Sequence, residues 1–402
     1  MNEPSRGRLL ALPPAPDAVE LRHLRAFVAV AEELNFGRAA ARLYLSQPAL
    51  SRQIRALERL LGAELLRRST HRVELTLAGE ALRPRAEDLL ERLDDAVAAT
   101  RAVGGELIGR AARHWDELRE ALGVEAGVQE LRDAVEAMHA QFAVPAEVLV
   151  RPANAGGVPS LLLSGSPEQE TTVLYLHGGG YILGSAFGYR PLVGAFALAA
   201  GTGVVLPDYR LAPEHPFPAA VQDALRAYAW IVERASSADR IVLAGDSTGG
   251  ALVMSLLLSL AADGLPMPGG AVLLCPGLDL TGAYLDPVAD AELVGHVRRS
   301  RELYLDGHPV DDPLVSPLLA DLSGLPPLLV QAATGDKARP EARQLVERAR
   351  EHGVDARFEL YPADTHQFHV FWPFLPEAAE ALQQAGAFVR EVGERAGGSR
   401  SA

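Results

Sequence analysis

Gly245-Asp246-Ser247-Thr248-Gly249 fits the pattern G-x-S-x-G, in which a serine sits on a sharp turn and becomes a nucleophile. The apolar run Arg240–Ala244 before it reads as a strand, and Gly249–Ala262 after it reads as a helix, the context this chemistry requires. A second glycine cluster, His177-Gly178-Gly179-Gly180, follows the apolar run Thr171–Leu176. Backbone without side chains can turn its N–H groups toward one point, and with the Thr248 amide such a loop would stabilise an oxyanion. The run lacks the Lys-Ser/Thr ending of a phosphate-binding loop and the later acidic residue of a dinucleotide site. An acyl-transfer serine also needs a base and a carboxylate to orient it, in the chain order Ser, acid, His. After Ser247 the histidines are His296, His308, His352, His366 and His369; His366, on a loop just past the strand Arg357–Tyr361, is the expected base, and His369 its main rival. Asp336 follows the strand Pro327–Gln331 and is the expected acid, with Asp321, Asp355 and Asp364 as alternatives.

A second kind of chemistry lies near the start of the chain. Residues 21–82 hold ten Arg and six Glu, a net of +4, while the whole chain is at −14, which leaves −18 for the rest. A basic segment on an acidic body suggests two separate tasks. Gln47, Ser51, Arg52 and Arg55 fall on one side of a helix over Gln47–Leu61, with Ser46 as its N-cap and Gly62 as its stop. Gln and Arg can pair with base edges in the major groove, and Ser and Arg can hold phosphates. Leu65, Leu66, Val73, Leu75 and Leu77 flank the polar stretch Arg67–Arg72 and suggest a small β-wing, whose Arg67, Arg68 and Arg72 would meet the phosphate backbone. An ordinary helix bundle with a solvated Arg face fits the pattern equally well.

The elements that must position these residues fall into regions. Residues 1–20, rich in Pro, read as a disordered leader. Residues 21–82 read as a helix–turn–helix with a wing, and residues 83–110 as a linker. Within it Leu89, Leu90, Leu93 and Val97 form one apolar stripe that needs a partner, ended by Gly104-Gly105. From residue 111 to 395 two amphipathic helical stretches are followed by strands alternating with helices, which predicts a mostly parallel sheet covered on both faces. Residues 396–402 read as a disordered tail. One cysteine in 402 residues, Cys275, excludes an intramolecular disulfide and a Cys-based zinc site. The longest uncharged apolar stretches, Leu192–Leu206 and Gly249–Ala262, fall short of the ~20 residues a membrane span needs.

The motif SQPALSRQIRALE, within the segment from Ala29 to Glu80, closely resembles the DNA-binding domain of LysR-type transcriptional regulators. The resemblance covers residues 21–82, and the helix after it resembles that family's dimerising linker. It implies a winged helix–turn–helix that binds double-stranded DNA as a homodimer joined through residues 83–103. It stops near residue 110, and the family's usual effector domain does not follow.

LYLHGGGYILGS, DYRLAPEHPFPAA, LAGDSTGG and THQFHVFWPFLPEA together resemble the hormone-sensitive-lipase-like carboxylesterases of the α/β-hydrolase fold, over residues 111 to 392. Carried over by position, the resemblance implies Ser247 as nucleophile, Asp336 as orienting acid and His366 as base. It implies the amides of Gly178, Gly179 and Thr248 as oxyanion donors, and residues 111–150 as a cap over the acyl pocket. DYRLAPEHPFPAA is expected to brace the HGGG loop. Three positions depart from the family pattern. Thr248 stands where Ala is usual, the acid loop reads ATGDKARPEA, and Asp364 sits where an apolar residue is common before the base. The joint expectation is a cytoplasmic serine carboxylesterase, with no metal or cofactor and no membrane contact, fused to a DNA reader. The alternative is a regulator whose hydrolase domain senses an ester or related ligand with little turnover.

Overall fold

The computed structural model describes residues 19–43, 45–68, 73–90, 105–107, 109–111, 113–114, 126–165, 171–283 and 291–398. The expected leader to residue 18, Arg72, and Leu93 and Val97 of the linker stripe lie outside them. The chain divides into two compact units, residues 1–105 and 106–402, so the division falls within the segment expected to be the linker.

The first unit opens with α1 (Leu21–Glu33), α2 (Phe36–Arg42) and α3 (Gln47–Leu61). Phe27 and Val30 of α1 pack with Leu50, Ile54 and Leu57 of α3, positions three and four apart on each helix. Ser46 Oγ accepts the Ala49 N–H at 3.4 Å, and Gly62 stops α3 at φ 66°, a left-handed conformation that glycine adopts without strain. Glu58 then reaches beyond the helix, its Oε1 accepting the Leu65 N–H at 3.1 Å and the Leu66 N–H at 3.3 Å. This carboxylate holds the entry of the wing, β1 (Leu66–Arg68) paired antiparallel with β2 (Val73–Leu75). Arg67 and Arg68 therefore belong to a strand rather than to the wing's tip. The helix expected from Arg83 is already formed at residue 77, and it is described over 77–90 as α4. Thr76 sets the earlier start: its hydroxyl accepts the Gly79 N–H at 3.1 Å and its carbonyl the Glu80 N–H at 2.8 Å. Residues 105–107 are helical, and the expected stop at Gly104-Gly105 falls partly outside the described residues.

The second unit is built on an eight-stranded sheet in the order β10-β9-β8-β7-β5-β6-β4-β3. β5 (Thr172–Leu176), β6 (Gly203–Pro207), β7 (Ile241–Asp246), β8 (Gly270–Leu274), β9 (Leu328–Ala333) and β10 (Ala356–Tyr361) run parallel. The inner strands β5, β7 and β8 read as nearly continuous apolar runs because both faces are covered, whereas β10, at the sheet edge, carries Arg357 and Glu359. In β7, Ile241 and Leu243 join one core while Val242 and Ala244 join the other. A slip of one residue would exchange these faces, so the register is strongly specified. α7 (Ala219–Val232), α8 (Thr248–Ala262) and α10 (Arg339–Glu351) pack on the first face; α6 (Arg190–Ala200) and α11 (Pro376–Gly398) pack on the second.

Several expectations change here. The segment read as the cap's end instead starts the antiparallel hairpin β3 (Leu149–Ala155) and β4 (Val158–Ser164) at the sheet edge. Its turn is Gly156-Gly157, both at positive φ, with Asn154 Oδ1 accepting the Gly157 N–H at 2.6 Å. That dipeptide is a hairpin signal visible in the sequence. Between residues 126 and 150 the described helix is α5 (Val128–His139). α9 (Ala291–Leu305) and α11 were not anticipated, and α11 runs to Gly398 where a disordered tail was expected. Ala381, Leu382, Ala385, Phe388, Val389 and Val392 bury its inner face. Among the described residues no helix is long and apolar enough to cross a membrane.

Candidate active site

The residues that could perform acyl transfer sit at the C-terminal ends of the parallel strands. Ser247 joins β7 to α8 with φ 51° and ψ −127°, a strained backbone that only close packing can hold. A side chain at Gly245 would lie 2.5 Å from the Gly249 carbonyl oxygen, and one at Gly249 would run into the Leu176 carbonyl oxygen. The two glycines of the motif are therefore steric necessities. Asp336 lies in the loop after β9, and His366 in the loop after β10.

These three come together. His366 Nε2 lies 2.8 Å from Ser247 Oγ. His366 Nδ1 lies 3.0 Å from both Asp336 oxygens. An ionised carboxylate only accepts, so Nδ1 carries the proton and Nε2 is free to take the one on Oγ. The Asp336 side chain is 1% exposed and that of His366 38% exposed, so the acid is sealed and the base faces the site's mouth. Burial pushes the Asp336 carboxyl up, but His366, the Ala338 N–H at 2.9 Å and the Cys275 thiol outweigh it and its pKa falls below the ordinary value. Burial likewise pushes His366 down, yet the charge and hydrogen bond of Asp336, with the charges of Asp246 and Glu341, hold its pKa above the usual 6.5. Glu341, buried on α10, accepts the Leu278 N–H at 2.6 Å and the Asp279 N–H at 2.9 Å; burial raises its pKa to about 7.

The rival residues stand elsewhere. His369 is buried with Nε2 3.0 Å from Gln331 Oε1, and burial lowers its pKa to about 3. His308 pairs with Asp312 and His352 with Asp321, both at 2.7 Å, and neither pair includes Ser247. Asp364 is exposed and His366 pairs with Asp336 instead, so Asp364 does not compete for the base.

The glycine loop corrects one expectation. The Gly178 N–H donates to Asp246 Oδ1 at 3.1 Å, so it is engaged in the scaffold and unavailable to an oxyanion. The Gly180 N–H donates to Thr248 Oγ1 at 2.9 Å. The amides of Gly179, at φ 121°, and of Thr248 have no acceptor among the described residues. Asp246 is the residue that sequence reasoning missed. Fully buried, it also accepts the Tyr175 hydroxyl at 2.9 Å, the Tyr189 hydroxyl at 3.1 Å and the Gln367 amide. One carboxylate thus ties the nucleophile's strand to the glycine loop and to the residue beside the base. Burial raises its pKa to about 6 despite the four donors. Its signal in the sequence is a charge ending an otherwise apolar strand. The DYRLAPEHPFPAA turn braces the same loop from outside. The Tyr209 hydroxyl donates to the His177 carbonyl at 2.7 Å, and the Ala212 N–H donates to that of Tyr181 at 3.0 Å. From α5, the Arg132 guanidinium donates to the Ile182 carbonyl at 2.8 Å and the Ala212 carbonyl at 2.9 Å.

In the first unit, Gln47, Arg52 and Arg55 are exposed on α3, opposite the buried Leu50, Ile54 and Leu57, with Ser51 half-buried between them. Arg67 is exposed on β1. Among the described residues no cluster of three or more His, Cys, Asp or Glu could hold a metal ion.

Fold and site together define an α/β-hydrolase carrying a winged helix–turn–helix. Residues 173–370 match the family model for the alpha/beta hydrolase fold, and residues 21–80 match that for bacterial regulatory helix-turn-helix proteins of the lysR family. An acetyl-hydrolase of Streptomyces hygroscopicus is 42% identical over 224 residues, 54% of this chain and 75% of the relative. An esterase of Acinetobacter venetianus is 31% identical over 65% of this chain and 88% of its own. A crystal structure of an esterase from the bacterial hormone-sensitive lipase family aligns with TM-score 0.66 at 35% identity, covering 71% of this chain and 98% of that one. The chain belongs to the hormone-sensitive-lipase family of esterases and is a carboxylic-ester hydrolase with a LysR-type helix–turn–helix at its N-terminal end.

Proposed function

We propose that the second unit hydrolyses esters through an acyl-enzyme on Ser247. The observation that carries this reading is the unbroken chain from Ser247 Oγ through the His366 ring to Asp336, at 2.8 Å and 3.0 Å. Ser247 Oγ bonds to the ester carbonyl carbon as its proton passes to His366 Nε2, and the carbonyl electron pair moves onto oxygen. The Gly179 and Thr248 amides receive that oxyanion, a donor set revised from the expected Gly178, Gly179 and Thr248. His366 then gives its proton to the departing alkoxide. A water attacks the acyl-enzyme with His366 again as base, and the carboxylic acid leaves. Asp336 stays ionised and holds the imidazolium throughout. The acetyl-hydrolase relative supports short acyl esters as first substrates. The reading as a sensor with little turnover draws no support from a site whose groups already stand in hydrogen-bond register.

Ser247→Ala assayed on short-chain aryl esters should lower kcat by about 10⁶-fold. Equal rates for the two proteins would defeat the reading.

We further propose that the first unit reads double-stranded DNA with α3 in the major groove, through Gln47, Ser51, Arg52 and Arg55, with Arg67 and Arg68 near phosphates. Exposed side chains on the face opposite the core support this, as does the LysR-family match. An apolar groove lined by Leu21, Leu24, Leu57, Leu61, Leu82 and Leu89 supports association of two copies through the region of α4.

A further inference from the structure

Thr248 stands directly after the nucleophile, half-buried at the start of α8 and outside both hydrophobic cores of the sheet. Its Oγ1 accepts the Gly180 N–H at 2.9 Å and so bridges the start of α8 to the glycine loop. An accepting hydroxyl still has its own proton to place, and that proton has no acceptor among the described residues. The residue is half-buried, and its own amide and that of Gly179, the neighbour of the residue whose amide it accepts, stand without acceptors among the described residues. The Gly180 amide occupies one lone pair of Oγ1 and holds the side chain against the glycine loop, which leaves the O–H free to donate.

We propose that the Thr248 hydroxyl is a third donor to the oxyanion, held and polarised by the Gly180 amide. The inference rests on the reading of Ser247 as nucleophile. As the Oγ–C bond forms and the Ser247 proton moves to His366, the carbonyl oxygen gains the displaced pair. It then accepts from the Gly179 N–H, the Thr248 N–H and the Thr248 O–H. The side chain of this residue is thus a catalytic group.

The test measures kcat and KM on an aryl acetate, and inhibition by a trifluoromethyl ketone that forms a tetrahedral adduct with the serine. Thr248→Val keeps the shape but removes the hydroxyl, and it should lower kcat about 100-fold with KM within about threefold. Inhibitor affinity should fall in parallel. Thr248→Ser should recover most of the loss. Thr248→Ala should lie between, because it frees the Gly180 amide to reach the oxyanion. Thr248→Val with kcat within about twofold of the natural protein overturns the proposal. So does Thr248→Ala faster than the natural protein, which would mean that the hydroxyl obstructs. Should the Val protein fail to fold, Ser against Ala decides, and Ser slower than Ala overturns it. Activity surviving in Ser247→Ala would instead defeat the reading of the nucleophile, a result separate from these.

Discussion

The two units of this chain use charge in opposite ways. The helix–turn–helix displays Arg52, Arg55 and Arg67 in solvent over a core made of residues such as Phe27, Val30, Leu50 and Ile54. The hydrolase buries Asp246, Asp336 and Glu341 and surrounds each with donors. Exposed charges are screened by salt and keep their chemistry independent of fold detail. Buried ones are insulated from salt, and every neighbour moves their pKa. The first unit should therefore respond to ionic strength and the second to pH, although they share one chain.

Among the tests of this contrast, the largest effect is expected on the buried side. Asp336→Asn keeps the shape but lets the amide face Nδ1 with a donor, favouring the wrong tautomer, and kcat should fall about 10⁴-fold. The pH profile sharpens the point. A protonated His366 cannot take the Ser247 proton, so activity is lost as pH falls through its pKa. Asp336 holds that pKa above 6.5, and the acid limb of kcat/KM should have its midpoint above 6.5. In Asp336→Asn, desolvation acts without the compensating charge, and the limb of the residual activity should move to lower pH. A limb at or below 6.5 in the natural protein would break the contrast.

Next in size is the salt response. With about six phosphate contacts, DNA affinity should fall about 10³-fold between roughly 50 and 200 mM salt, while hydrolysis of a neutral ester changes little. Arg52→Ala should cost roughly 1–3 kcal/mol in binding to a specific duplex. Binding that ignores both salt and Arg52 would count against groove insertion. The smallest effect tests whether the units are separable. Ser46→Ala removes the cap of α3 and should destabilise the first unit by about 1 kcal/mol in denaturant unfolding, with esterase activity unmoved. A parallel loss of activity would show the two units to be coupled.

Much of the first unit was legible because its determinants are local. A cap at Ser46, a stop at Gly62 and an apolar spacing of three and four define the fifteen residues of α3. The start of α4 departs from the expected Arg83 because Thr76, on the wing side, caps the helix ahead of that residue. In the second unit the parallel strands were legible from apolar runs, and the edge hairpin was missed although Gly156-Gly157 marks its turn. The candidate triad was narrowed by order and strand context, and family resemblance made the choice. The donor state of each glycine amide was not legible, since Gly178 loses its N–H to a carboxylate 68 residues away.

By itself, then, the chain's order of residues determined which groups could react, because a serine on a glycine-flanked turn and a histidine past the last strand are properties of type and spacing. Only the tertiary structure decided which of those groups meet, which amides stay open, and that Asp246 braces both loops. Hydrogen bonds act over about 3 Å, and no pattern along the chain encodes which distant atoms a packed sheet will bring within that reach.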